Sequence, residues 1–254
     1  MVAPTVIETT AKVIYPDSDG LPMSDNTKQF RWIVTIKENL ELIYAQNPDV
    51  FIAGDLLWYP VEGSNTIRQA PDIMVAFGRP KGDRGSYQQW REEGIAPQVV
   101  FEILSPGNRM GEMNRKLRFY EQYGVDEYYI YDPDRVDFAG WMRSGERLEA
   151  ISQREGDTNE DATDWISPLL GVRFKLAEAG ELEIYRPDGQ PFLSFIDLDL
   201  RRQAAEQRAN TAEQRADTAE QRADTAEQRA NDIQQQAEKL ATKLRELGID
   251  PANL

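Results

Sequence analysis

Pro71-Asp72-Ile73-Met74-Val75-Ala76-Phe77, Gln98-Val99-Val100-Phe101-Glu102-Ile103-Leu104 and Glu127-Tyr128-Tyr129-Ile130-Tyr131 are three apolar runs whose order decides the fold. Each is strand-length and rich in β-branched or aromatic residues, so each reads as a β-strand. Between the second and third, Ser105-Pro106-Gly107-Asn108 reads as a turn, and Met113, Leu117 and Tyr120 then recur at helical intervals. This spacing predicts a helix over residues 110–123, ended by Gly124, since glycine accepts the left-handed conformation at a helix end. The resulting strand–helix–strand unit is expected to be a right-handed parallel crossover.

Within this frame Glu102 stands out. Side chains alternate along a strand, so Val100, Glu102 and Leu104 share one face and Val99, Phe101 and Ile103 the other. Both faces are otherwise apolar, which is how a buried central strand reads. A carboxylate there loses its hydration and must be paired with a buried Arg or Lys, protonated, or bound to a metal ion. Asp72, after Pro71, reads either as turn chemistry opening a strand or as an oxygen ligand. Lys116 lies at the border of its helix's apolar stripe, where a lysine either reaches across to the sheet or snorkels to water.

Composition narrows the chemistry. The chain has 254 residues, 40% hydrophobic, enough for one sizeable core beside a charge-rich C-terminal segment. It contains no cysteine and no histidine. Disulfides, thiol nucleophiles, Ser-His-Asp triads and histidine–metal sites are therefore excluded, and acid–base work falls to Asp, Glu, Lys or Tyr. A carboxylate-bound Mg²⁺ is a hydrolytic device that needs no histidine. The net charge of −15 argues against strong non-specific nucleic-acid binding, although a local basic patch and a metal ion could receive a phosphate backbone. Residues 1–10 lack a basic region followed by an apolar core, and no run approaches the roughly 18 apolar residues of a membrane span. A soluble, cytoplasmic protein without membrane contact is expected.

Residues 1–24 read as a lead-in with turns at Pro16-Asp17 and Asp19-Gly20. A first helix is expected from Ser24 or Asp25 to Pro48, with Phe30, Ile33, Leu40 and Ile43 as its buried stripe. Residues 50–59 read as one strand, and residues 78–97 as a polar loop. That loop interleaves Arg79, Lys81, Arg84 and Arg91 with Tyr87 and Trp90, a pattern that suits either nucleic-acid contact or an ordinary surface loop. Residues 138–143, 148–152, 172–176 and 182–185 read as short strands that extend or cover the sheet, and the chain is helical from residue 194. The predicted fold class is α/β (α+β): a mixed, partly antiparallel sheet flanked by helices, with additional β-strands and a long C-terminal helix. Two domains are expected, residues 1–195 and 196–254.

The series Pro71-Asp72, Glu102-Ile103-Leu104-Ser105-Pro106, Lys116, Tyr120, Gly124-Val125 and Glu127-Tyr128-Tyr129-Ile130-Tyr131-Asp132-Pro133 resembles the Uma-two family, restriction-endonuclease domains abundant in cyanobacteria. These resemble the PD-(D/E)xK nuclease superfamily, and the resemblance covers roughly residues 10–195. The ending Leu244-Arg245-Glu246-Leu247-Gly248-Ile249-Asp250-Pro251 is also similar to that of such proteins. The resemblance implies a restriction-endonuclease-like fold and a metal-dependent endodeoxyribonuclease, with Asp72 and Glu102 binding Mg²⁺ or Mn²⁺ and DNA as substrate. The superfamily often places a lysine two residues past the second acid. Leu104 stands there in this chain, which implies that Lys116 on the following helix takes over the lysine's catalytic role. An upstream acid is also implied, with Glu38, Glu41 and Asp55 as candidates. The alternative is a catalytically silent nuclease fold that binds or scaffolds through its C-terminal helix.

That helix carries a seven-residue repeat, Ala205-Glu206-Gln207-Arg208-Ala209-Asn210-Thr211, continuing to Asn231. With position a at Ala209, Ala216, Ala223, Ala230, Ala237 and Leu244, position d takes Ala212, Ala219, Ala226, Ile233, Leu240 and Leu247. Arg208 at g and Glu213 at e could pair between two parallel copies. The pattern supports a homodimeric coiled coil or a single solvated helix.

Overall fold

The computed structural model describes residues 13–18, 20, 24–151, 164–176 and 180–248, and the chain divides into two units, Met1–Ser194 and Phe195–Leu254. Residues 1–10, Asp19, Ser152 and the terminal Ile249-Asp250-Pro251, all used in the sequence reading, lie outside the described residues.

Helix α1 (Thr27–Ile43) is capped by Asn26 rather than by Ser24 or Asp25. The Asn26 side chain accepts from the Gln29 amide at 2.8 Å, satisfying a donor the helix leaves unpaired. Its buried face is Trp32, Ile33, Ile36 and Leu40, together with the polar Gln29 and Asn39. Phe30 is exposed, because the buried stripe is rotated from the predicted one. The helix stops at Ile43, and a turn (Asn47 amide to Tyr44 carbonyl, 3.0 Å) precedes Pro48.

The main sheet has six strands, β1 (Val50–Gly54), β3 (Ile73–Phe77), β5 (Val99–Ile103), β6 (Glu127–Asp132), β7 (Asp137–Ser144) and β8 (Arg147–Ala150), in the order β1-β3-β5-β6-β7-β8. Within this sheet β5 and β6 run parallel, joined by helix α2 (Met110–Tyr123), and the other neighbours pair antiparallel. Gly124 ends α2 at φ +96°, as its position predicts. Residues 50–59 do not form one strand. Asp55 adopts φ +46°, which turns the chain out of the sheet, and β2 (Trp58–Tyr59) pairs instead with β4 (Tyr87–Gln88). A separate three-stranded sheet comprises β9 (Asp164–Ile166), β10 (Arg173–Leu176) and β11 (Leu182–Tyr185).

Period-two alternation sends the two faces of the main sheet into different cores. Val99, Phe101 and Ile103 join Ile33, Ile36 and Leu40 of α1 and Phe174 and Ile184 of the small sheet. Val100 joins Met74, Tyr120, Tyr128 and Trp58 on the other face. Burying one such large apolar side chain stabilises the fold by about 1.5–3 kcal/mol, so this division fixes the strand registers.

The second unit contains one helix, α3 (Phe195–Glu246), of 52 residues. None of its side chains is buried. Ile233, Leu240 and Leu247, all at position d, are 61–75% exposed. Among the described residues no helix is long and apolar enough to cross a membrane.

Candidate active site

Strand register assembles the acids. In the β3–β5 pair, Ile73 faces Phe101 and Met74 faces Val100, so one residue further on Asp72 falls opposite Glu102. In the β1–β3 pair Gly54 faces Ile73, and the same extension puts Asp55 opposite Asp72. The Asp55 amide donates to the Asp72 carbonyl at 3.2 Å. By backbone register Asp72, just before β3, therefore follows opposite Glu102 of β5, and Asp55, just after β1, follows opposite Asp72. Asp72 shares the parity of Met74 and Ala76, and Glu102 that of Val100, which is the face packed under α2.

Glu102 is 2% exposed and both of its carboxylate oxygens are engaged. Lys116 Nζ lies 2.7 Å from Oε2, and Tyr120 Oη donates to Oε1 at 2.5 Å. Lys116 therefore reaches the sheet rather than snorkelling, and its side chain is only 13% exposed. Burial works against the ammonium charge, but Glu102 and Asp72 outweigh it and hold the lysine above its ordinary range. Tyr120 is fully buried, and burial followed by the field of Glu102 keeps its hydroxyl protonated as a donor.

Asp72 is pushed well above the usual carboxylate range, first by burial and then by the Glu102 charge. Lys116 and the Ile103 amide, which donates to Asp72 Oδ2 at 2.6 Å, act in the opposite direction. The Ile103 carbonyl accepts from Gln29 Nε2 of α1 at 2.8 Å, so this peptide is held at both ends. The predicted turn that follows is closed by Asn108 Oδ1, which accepts from the Ser105 amide at 2.7 Å.

Of the three upstream acids, Asp55 contributes to the field at Asp72. Lys37 lies 3.0 Å from Glu38, and Lys81 lies 2.7 Å from Glu41. The loop over residues 78–97 is tied down in the same way. Arg79 and Arg84 both bind Glu92, at 3.1 and 2.7 Å, and Tyr87 is fully buried with its hydroxyl on the Ile95 carbonyl. These contacts fasten the loop. Arg109, Arg115 and Arg118 at and along α2 are exposed and have no ion pair among the described residues.

The donor set suits a hard divalent cation. Asp72 and Glu102 offer oxygen only, from two strands, and a cation between them would relieve the like-charge repulsion that raises Asp72. No cluster of three or more metal-ligating side chains occurs among the described residues, so water would complete the coordination, as Mg²⁺ prefers. One residue bonded to Glu102 escaped the sequence reading as a site member, Tyr120. Tyr120 lies one helical turn beyond Lys116, a spacing that could have flagged it.

Comparison with known proteins adds a family. The profile of the Uma2 family, described as "putative restriction endonuclease", matches residues 22–190. No curated protein matches the sequence. Among solved structures, the chain is similar to a crystal structure from Anabaena variabilis described as a "putative nuclease belonging to DUF820". The identity is 15% over 56% of this chain and 72% of that one, with a TM-score of 0.41.

Proposed function

Because the chain belongs to the Uma2 family of restriction-endonuclease type, we propose that it is a divalent-cation-dependent endonuclease that hydrolyses phosphodiester bonds in DNA. The observation that carries this reading is the juxtaposition of Asp72 and Glu102 on adjacent strands with Lys116 reaching over them. Asp72 and Glu102 would hold Mg²⁺ or Mn²⁺. Such an ion supplies Lewis-acid polarisation of a phosphoryl oxygen and makes water a better nucleophile at neutral pH. Lys116, on a flexible stem, offers its ammonium to the charge that develops on the phosphate. Tyr120 fixes the rotamer of Glu102 through its hydrogen bond. Asp55 adds negative charge beside Asp72 and favours the cation. Arg109, Arg115 and Arg118 give the acidic chain a local cationic edge for backbone phosphates. We further infer that α3 pairs in parallel with α3 of a second copy through its a and d positions.

Purified protein should cleave duplex DNA with MgCl₂ or MnCl₂, and Asp72→Asn and Glu102→Gln should each abolish cleavage. Asp72→Asn removes a buried charge that repels Glu102 while retaining an acceptor for the Ile103 amide, so the cation-free variant should unfold at a temperature no lower than the wild type. Cleavage that persists in either variant would remove the proposed site from the reaction.

A further inference from the structure

Tyr128 is fully buried, yet its hydroxyl has no hydrogen-bond partner in the structure. Buried hydroxyls are normally paired, because an unmade hydrogen bond inside a protein costs about 1–3 kcal/mol. The register shows where this group lies. Tyr128 faces Val100 across the β5–β6 pair, and so stands on the face that carries Glu102. Its ring packs at 4.9 Å from that of Tyr120, whose own hydroxyl is bound to Glu102. Burial and the charges of Glu102, Asp72 and Glu112 all bear on the Tyr128 hydroxyl and keep it protonated.

The surroundings specify the chemistry of what this hydroxyl meets. Glu102, Asp72 and Glu112 are acids, and Lys116 is the cation that the structure places on Glu102. Surroundings with this balance of charge favour a cation over an anion. A neutral hydroxyl has both a donor proton and acceptor lone pairs, which suit a water molecule in the shell of a hydrated ion. Mg²⁺ dehydrates reluctantly and, with two protein carboxylates, would keep several waters that need such partners.

Resting on the nuclease reading and extending it, we propose that Tyr128 is a further residue of the cation site, binding the ion through its hydration water and thereby favouring Mg²⁺ over ions that shed their water readily. Residues that hold a metal's outer shell typically change affinity by about 10–100-fold when removed. Tyr128→Phe deletes one oxygen and keeps the ring against Tyr120 and Trp141.

The test is isothermal titration calorimetry of the full-length wild type and of Tyr128→Phe with MgCl₂ and with CaCl₂, beside thermal unfolding without added cation. The expected result is Mg²⁺ binding weakened about tenfold, a smaller change for Ca²⁺, and an unfolding temperature unchanged or raised, because the lost hydroxyl had no partner. Unchanged Mg²⁺ affinity, equal weakening for both ions, or a large fall in unfolding temperature would overturn the proposal. The readout is binding, so the two readings separate. A protein that binds Mg²⁺ through Tyr128 but cleaves no DNA would refute the nuclease reading alone, and one that cleaves normally with Tyr128→Phe at wild-type Mg²⁺ affinity would refute this inference alone.

Discussion

Lys116 occupies Glu102 Oε2, so at the proposed site ammonium and cation would compete for the same carboxylate. The perturbation that exposes this is Lys116→Met, which keeps an unbranched stem and removes the charge. In the cation-free protein the variant leaves Glu102, 2% exposed, with Tyr120 as its remaining side-chain donor. Breaking a buried ion pair from one side costs about 3–5 kcal/mol, and the surviving Tyr120 bond argues for the lower end, about 3 kcal/mol. For a unit of this size that corresponds to a fall of roughly 6–12 °C in the unfolding midpoint. Added MgCl₂ should then act unequally. In the wild type the ion must displace the ammonium; in the variant it meets a carboxylate with no competing cation. A ligand at about 100 times its Kd stabilises by about 2.7 kcal/mol, so tighter binding makes the gain at a fixed concentration larger for the variant. The assay is thermal and urea unfolding of both proteins across a MgCl₂ series, with DNA cleavage measured in parallel and expected to fall sharply in the variant. Adding Glu102→Gln to Lys116→Met removes both charges and should recover most of the lost stability. A variant as stable as the wild type without cation, or equal Mg²⁺ shifts in both, would refute the competition.

Two other measurements probe regions outside this pair. Burial would raise Glu92, but hydrogen bonds from Arg84 and Arg79 prevail and hold it below the usual carboxylate range. A depressed folded-state value contributes stability that is complete above the unfolded value, about 4.3, and is lost as pH falls through the folded one. Glu92→Gln should therefore cost about 2 kcal/mol in urea unfolding at pH 7 and progressively less below pH 4; a pH-independent difference would contradict the assignment. The chain has no native cysteine, so Ala223→Cys introduces a single thiol at position a of α3. Parallel pairing brings a against a and should give efficient disulfide-linked dimers on mild oxidation, with sedimentation of the unmodified full chain showing dimers at high micromolar concentration. A chain that stays monomeric under those conditions removes the coiled-coil pairing.

The sequence by itself determined the elements around the site and the types of residue in it. The run around Glu102 is apolar on both faces, so burial of that carboxylate was legible, and the absence of histidine restricted the chemistry to acids, lysine and tyrosine. Helix α2 was legible from its stripe and from Gly124, because local periodicity and a left-handed end depend on near neighbours. Which partners those residues meet depends on contacts between distant parts of the chain. The antiparallel register of β3 on β5 alone puts Asp72 opposite Glu102, and that of β1 on β3 alone distinguishes Asp55 from Glu38 and Glu41. The left-handed Asp55 that breaks residues 50–59 into β1 and β2 was hidden, since an apolar run does not reveal where its backbone leaves the sheet. Lys116 stood at a border that periodicity leaves open between water and the sheet. The choice was decided by the buried charge across from it, since an unpaired carboxylate in the core costs more than ordering one lysine stem.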